Sequence, residues 1–307
     1  MSRIHEALKR AEEERAAQGH HAEPLPPVQM FDSENEPISD PLGTANMPSI
    51  GASAGSSFSD AFNFDMLMAR SQQSNWTPDQ KTMLFFNPQE QAYGTEQFRT
   101  LRSRLYQIRE KQPLKKVLIS SALPKEGKSF VAANLAQAMV RQHGRRALLI
   151  DADLRGARLH QALGAASTPG LAEYLLGEKD EFAVTQRGPM ENLFFIPAGR
   201  LVSNPAELVA NGRFKFLLSR MEALFDWIII DSPPAIPVSD PSLLANYCDG
   251  VLLVVRSNAT PSDIARKARE EFSAKSLIGV VLNGVDVDSS SYSNYYYGSY
   301  PATAAKA

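Results

Sequence analysis

From residue 116 onward the chain alternates between two apolar rhythms. Short, nearly continuous runs rich in Val, Ile, Leu and Phe fall at 116–120, 147–150, 193–197, 227–230, 250–256 and 278–282. Each has the length of a strand and too few polar positions to keep one face in water, so each predicts a strand covered on both sides. Between them, apolar residues recur with helical spacing at 128–142, 205–225, 241–247 and 261–275, and a more charged helical pattern precedes them at 89–111. Doubly buried strands separated by helices predict an α/β fold: a parallel sheet with helices on both faces, here over residues 86–288.

The pattern fades at both ends. Residues 19–85 are rich in Pro, Ser, Gly, Asn and acids and hold no sustained period, which predicts a disordered linker. Ahead of it, residues 1–18 predict a short amphipathic helix, with Ser2 placed to cap it and Ile4, Ala7, Leu8 and Ala11 on one face. A helix this short cannot bury that stripe alone, so it is a candidate docking or self-association contact. After Asp288 the chain reads SSSYSNYYYGSYPATAAKA, and residues 289–307 predict a Tyr-rich flexible tail.

Composition narrows the function classes. With 307 residues and 43% apolar content the chain can bury one sizeable core. A net charge of −2 argues against a protein that coats nucleic acid, and no nucleic-acid partner is expected. Residues 1–80 carry twelve acids against five bases, which leaves the remainder mildly basic. The single cysteine, Cys248, lies among Leu243, Leu244 and Tyr247; it reads as a small core residue, and the chain as a cytoplasmic one in a reducing compartment. No apolar run has the length of a membrane span, and Met1 to Arg15 is charged throughout, so a membrane role is expected to be peripheral. The five histidines show no metal spacing.

The candidate chemistry sits at strand ends. The strand at 116–120 runs into Ser121-Ala122-Leu123-Pro124-Lys125-Glu126-Gly127-Lys128-Ser129-Phe130 and then a helix, the context of a phosphate-binding loop. In such a loop backbone N–H groups and the helix N-terminus cradle phosphates, which assigns Pro124 through Phe130 to a nucleotide; Lys128 reaches the β/γ oxygens and Ser129 ligates Mg²⁺. The usual first glycine is replaced here by Ala122. The strand at 147–150 ends in Asp151-Ala152-Asp153-Leu154-Arg155, and alternate residues at a strand end point the same way. The strand at 227–230 ends in Asp231-Ser232-Pro233-Pro234. Three carboxylates converging on a phosphate loop supply what phosphoryl transfer from ATP needs, metal ligation and a group to accept or orient the attacking hydroxyl.

On these residues the chain resembles the bacterial tyrosine kinases of capsule and exopolysaccharide synthesis, over about residues 89–300. The phosphate loop matches Ala122–Ser129, the Asp-x-Asp-x-Arg element matches Asp151, Asp153 and Arg155, and the hydrophobic-strand aspartate matches Asp231. The resemblance implies an autokinase of the P-loop nucleotide-binding type. Lys128, Asp151, Asp153 and Arg155 are then the catalytic set, and Ser129, Asp153 and Asp231 the Mg²⁺ shell; which of Asp151 and Asp153 accepts the proton stays open. Glu96-x-x-Arg99-x-x-Arg102 matches an element that mediates ring-like self-association, and the spacing of three places these residues along one helix face. Tyr292, Tyr295, Tyr296, Tyr297 and Tyr300 then read as phosphoacceptors. The implied partners are a membrane polysaccharide co-polymerase that activates the kinase at the inner membrane, further copies of the chain, and a cognate tyrosine phosphatase. The opening Ser2-Arg3-Ile4-His5-Glu6-Ala7-Leu8 looks like the start of members that lack a fused membrane part.

Competing readings share the loop. Septum-site and chromosome-partitioning ATPases carry an extra lysine five residues before the phosphate-binding lysine, where this chain has Leu123. A nucleotide-binding scaffold without activity would not need all three carboxylates, and a nucleotide-dependent reductase would need a Gly-x-Gly-x-x-Gly turn that is missing after the first strand. Asn283, just beyond the strand at 278–282, is expected either to meet adenine from the sheet edge or to serve only as an Asn-Gly turn.

Overall fold

A computed structural model describes residues 62–86, 93–272 and 276–285. The expected helix at 1–18, the linker up to residue 61 and the tail at 289–307 lie outside the described residues. The strands are β1 (Gln72–Gln73), β2 (Lys116–Ser121), β3 (Ala147–Asp151), β4 (Gln186–Arg187), β5 (Leu193–Ile196), β6 (Trp227–Asp231), β7 (Gly250–Arg256) and β8 (Leu277–Asn283). They form one sheet in the order β1-β4-β5-β3-β6-β2-β7-β8. The six from β5 to β8 in that order run parallel, while β4 pairs antiparallel with β5 and β1 parallel with β4. All six expected strands are present, each within a residue of its expected ends.

Alternation along the central strands explains why they are apolar throughout. Val117, Ile119, Leu149, Trp227 and Ile229 face one core with the helices Tyr93–Arg109 and Lys128–Val140. Leu118, Leu148, Ile150, Ile228 and Ile230 face the other, under helices that include Arg213–Glu222 and Asp240–Ala245. Each such side chain is fully buried and contributes about 1.5–3 kcal/mol, so the sheet's interior is the main source of rigidity under the site. The helix Lys128–Val140 packs closely because its buried face is built from Ala132, Ala133, Ala136 and Ala138.

Two expectations need correction. The linker was expected to run to residue 85, yet residues 62–86 hold the capped helix Phe64–Arg70, the strand β1 and a short 3-10 turn, Leu84–Phe86. Leu67, Trp76, Met83 and Phe85 are buried. Asn134 of the Lys128–Val140 helix accepts from Leu84 N at 2.8 Å and donates to Thr82 O at 2.8 Å, and Arg141 Nη2 donates to Phe85 O at 2.6 Å. The anchors are irregularly spaced among polar residues, so no period marks them. The helix expected at 205–225 is two helices, Pro205–Ala210 and Arg213–Glu222, separated at Gly212, whose φ of +83° only glycine adopts readily. The stretch between β3 and β5 carries three further short helices, Leu159–Leu163, Leu171–Leu175 and Glu181–Val184.

Candidate functional site: a phosphate loop facing three carboxylates

The sheet's registry builds the site. β2, β6 and β3 are adjacent, Ile119 pairs with Asp231, and Asp231 pairs with Asp151. The loop after β2 and the acids ending β3 and β6 therefore meet at one sheet edge, the carboxyl end where α/β proteins hold ligands.

The loop from Ala122 to Gly127 is held in shape by its own side chains. Glu126 is buried; its Oε2 accepts from Leu123 N at 2.7 Å and its Oε1 from the Thr260 hydroxyl. The Glu126 side chain is thus committed to holding the loop itself. Lys125 and Gly127 adopt left-handed backbone at φ +67° and +96°, the curl that turns successive N–H groups inward. Asn283 Nδ2 donates to Glu126 O at 2.9 Å, and Arg256 Nη1 to Lys125 O at 3.1 Å. Asn283 therefore supports the loop from the end of β8. A Cβ on Gly127 would stand 2.0 Å from Asn283 Nδ2, so this glycine is required by both conformation and space. Ala122 is fully buried and is not among the residues with positive φ, which is why the usual glycine is dispensable there.

Lys128 starts the helix and turns toward the acids. Its ammonium lies 2.8 Å from Asp153 Oδ2, 3.8 Å from Asp231 Oδ2 and 3.3 Å from Ser129 Oγ. Burial alone would lower the affinity of this amine for its proton, but Asp231 and Asp153 outweigh it and hold the pKa above its ordinary value. Asp153 Oδ1 accepts from Gly156 N at 2.9 Å and Arg155 N at 3.3 Å. Asp151 is wholly buried and accepts from Asp153 N and Leu159 N, each at 3.2 Å. Its burial, with Asp231 and Asp153 close by, pushes its carboxyl well above the usual range. Asp231 is 1% exposed, with the Lys128 ammonium 3.8 Å from its Oδ2 and the Ser129 hydroxyl and Ser232 N beside it. Desolvation raises its pKa to about 6 although Lys128 opposes it.

Three acids share one lysine, and the buried Asp231 carboxylate, raised in pKa by its desolvation, is placed to receive further positive charge. Among the described residues no group of three or more His, Cys, Asp or Glu encloses a metal by itself. That fits Mg²⁺, which takes one or two carboxylates and completes its shell with substrate phosphates and water.

A cleft of about 540 Å³ opens above these groups, lined on one side by Pro124, Lys125, Gly127, Lys128, Ser129 and Phe130. Asp153, Arg155, Gly156 and Arg158 line the other side, with Pro233, Pro234, Pro237 and Val238 between. Asp151 and Asp231 lie beneath it. Arg155, expected in the catalytic set, forks onto Asp240 instead, Nε to Oδ2 at 2.7 Å and Nη2 to Oδ1 at 2.9 Å. It thereby ties the loop after β3 to the start of the helix Asp240–Ala245 that follows β6. Sequence reasoning missed Arg158, Asp240 and the proline wall; their only signal is position after strands that end in an active acid.

The self-association residues are away from the cleft. Arg99, half-buried, pairs with the exposed Glu96 on the same helix, and Arg102 Nη1 donates to Ala138 O at 2.7 Å, closing the end of the Lys128–Val140 helix. Within one chain, then, Arg102 has a structural task. The five tail tyrosines lie outside the described residues. Among the described residues no helix is long and apolar enough to cross a membrane.

Known proteins are similar to this chain over the same region. A family model described as an AAA domain matches residues 117–261. Tyrosine-protein kinase YwqD of Bacillus subtilis (strain 168) is 36% identical over 207 residues, 67% of this chain and 87% of that protein. The putative tyrosine-protein kinase EpsB of Ralstonia nicotianae is 34% identical over 217 residues, 68% of this chain but 29% of that protein. Among solved structures, the kinase domain of the Escherichia coli tyrosine kinase ETK superposes with a TM-score of 0.61 at 29% identity, over 67% of this chain and 82% of that domain. With a phosphate loop, three strand-end aspartates and relatives of this identity and coverage, the chain belongs to the bacterial tyrosine-protein kinases.

Proposed function

We propose that the chain transfers the γ-phosphoryl group of ATP to the tyrosines of its own C-terminal segment and thereby regulates the synthesis or export of an extracellular polysaccharide. The observation that carries this is the meeting of Lys128 with Asp151, Asp153 and Asp231 at one cleft. Backbone amides of residues 124–129 hold the phosphates. Ser129, Asp153 and Asp231 hold Mg²⁺, which supplies charge neutralisation on the phosphates. When phosphates arrive, Lys128 turns from the acids to the β/γ oxygens and uncovers them. Asp151, ionised under the charge of bound Mg²⁺, then accepts the tyrosine proton. Arg155 keeps the loop after β3 in register with the helix Asp240–Ala245 through Asp240.

In this reading the kinase works in the cytoplasm against the inner membrane. A membrane co-polymerase activates it, a cognate phosphatase reverses its marks, and copies of the chain assemble through the Glu96–Arg102 face. Tethering then raises the local tyrosine concentration to the order of millimolar. The test is the full chain with Tyr292, Tyr295, Tyr296, Tyr297 and Tyr300 all changed to Phe, incubated with ATP·Mg²⁺. The variant binds nucleotide normally but takes up little phosphate by mass spectrometry. Labelling equal to wild type, or label on Ser and Thr, refutes the assignment.

A further inference from the structure

The cleft has more positive charge than the nucleotide chemistry uses. Four cations line it: Lys125, Lys128, Arg155 and Arg158. Lys128 is paired with Asp153 and Arg155 with Asp240. Lys125 belongs to the phosphate loop itself. Arg158 is exposed, and among the described residues its guanidinium makes no hydrogen bond or ion pair.

Topology says which ligand Arg158 faces. The sheet order places β6 between β2 and β3. Across the cleft one therefore meets the phosphate loop after β2, then the proline wall after β6, then the loop after β3 that ends at Arg158. Phosphoryl transfer needs the attacking oxygen in line with the leaving oxygen, so the acceptor enters from the side opposite the held nucleotide. Arg158 stands on that side. Its backbone is fixed, because the next residue donates Leu159 N to Asp151 Oδ2 at 3.2 Å and its own carbonyl accepts from Gln161 N and Ala162 N at 3.1 and 3.2 Å.

The acceptor segment itself offers no acid for this arginine: between Ser289 and Ala307 the chain contains neither Asp nor Glu. It does contain Tyr295, Tyr296 and Tyr297 in succession. Once one is modified, a neighbouring acceptor carries a phosphate beside it, a dianion-like group that matches the guanidinium fork. We infer that Arg158 is a specificity-determining residue that binds the phosphate of an already modified tyrosine and so favours phosphorylation of the tyrosine beside it. The inference rests on the kinase reading above. It makes multi-site modification of the tail self-primed: the first phosphate is added slowly and later ones faster.

The experiment uses the full chain with the five tail tyrosines changed to Phe, so that its own tail cannot compete. It is given ATP·Mg²⁺ and a synthetic peptide of residues 289–303, either unmodified or carrying phosphotyrosine at Tyr296. The primed peptide is expected to show about a tenfold lower KM, the size of one charge-assisted contact. Arg158→Ala should abolish that difference while leaving kcat on the unmodified peptide and KM for ATP unchanged, and Arg158→Lys should restore part of it. Equal KM for the two peptides in the parent protein overturns the inference. So does a raised KM for ATP in Arg158→Ala, which would assign the arginine to the nucleotide. Failure to phosphorylate either peptide, with ATP bound, would instead count against the kinase reading itself.

Discussion

Asp231 offers the most direct test of how the site is poised. It is a buried carboxylate whose desolvation outweighs the attraction of Lys128, 3.8 Å away, and its pKa stands at about 6 against an ordinary 3.8. Between those values the folded chain holds a proton that the unfolded chain has released, so the folded state is favoured at low pH and loses that advantage as pH rises through about 6. At about 1.4 kcal/mol per pKa unit, the ionised Asp231 costs the ligand-free protein roughly 3 kcal/mol at pH 8. Asp231→Asn keeps the shape and removes the charge. It should raise the ligand-free melting temperature at pH 8 by at most roughly 6–12 °C, given 2–4 °C per kcal/mol for a domain of this size, less what Lys128 loses with its partner, and change it little near pH 4. Thermal melts of both proteins from pH 4 to 8 make the measurement. Saturating ATP·Mg²⁺ should reverse the ranking at pH 8, since only wild type can use the charge. Melting temperatures that differ by the same amount at every pH, or a variant less stable than wild type at pH 8, would refute the reasoning.

Three further outcomes follow from the geometry. Lys128→Met and Asp151→Asn should each lower phosphoryl transfer by about a hundredfold or more, measured by phosphate incorporation at fixed protein concentration. Gly127→Ala should lose nucleotide binding in a fluorescence titration, because its Cβ would meet Asn283 Nδ2 at 2.0 Å; Asn283→Ala in the same chain should rescue it only partly, since φ stays at +96°. Arg102→Ala should destabilise the chain by roughly 1.5–3 kcal/mol in denaturant through loss of its bond to Ala138 O, whereas Arg99→Ala should leave stability nearly unchanged and alter only the mass seen by light scattering.

How far the site could be read from the residues depends on whether each one's partner is local. The six central strands were legible because both faces are covered, so their apolar character is unbroken. Lys128, Ser129 and the three aspartates were legible because strand ends and helix starts fix them in sequence. Arg155 was placed in the right loop, but its fork onto Asp240, 85 residues away, is a long-range fact that no spacing encodes. Residues 62–85 read as linker for the same reason. Trp76, Met83 and Phe85 are held by pockets that other elements build, and a period along their own segment is not needed to bury them.

Asn283 sets an order of events during synthesis. Its amide supports the phosphate loop at Glu126 O across 157 positions, and it stands at the last residue of the last strand. A chain emerging from the ribosome with β2 to β7 already folded still lacks that brace, and Gly127 would face open space where Asn283 belongs. Competence to grip a nucleotide is thus deferred until β8 is in place, only a few residues before the tyrosines begin. A partly made kinase is on this account a silent one, and a truncation just before residue 283, with β2 to β7 intact, should yield a folded sheet that holds nucleotide poorly.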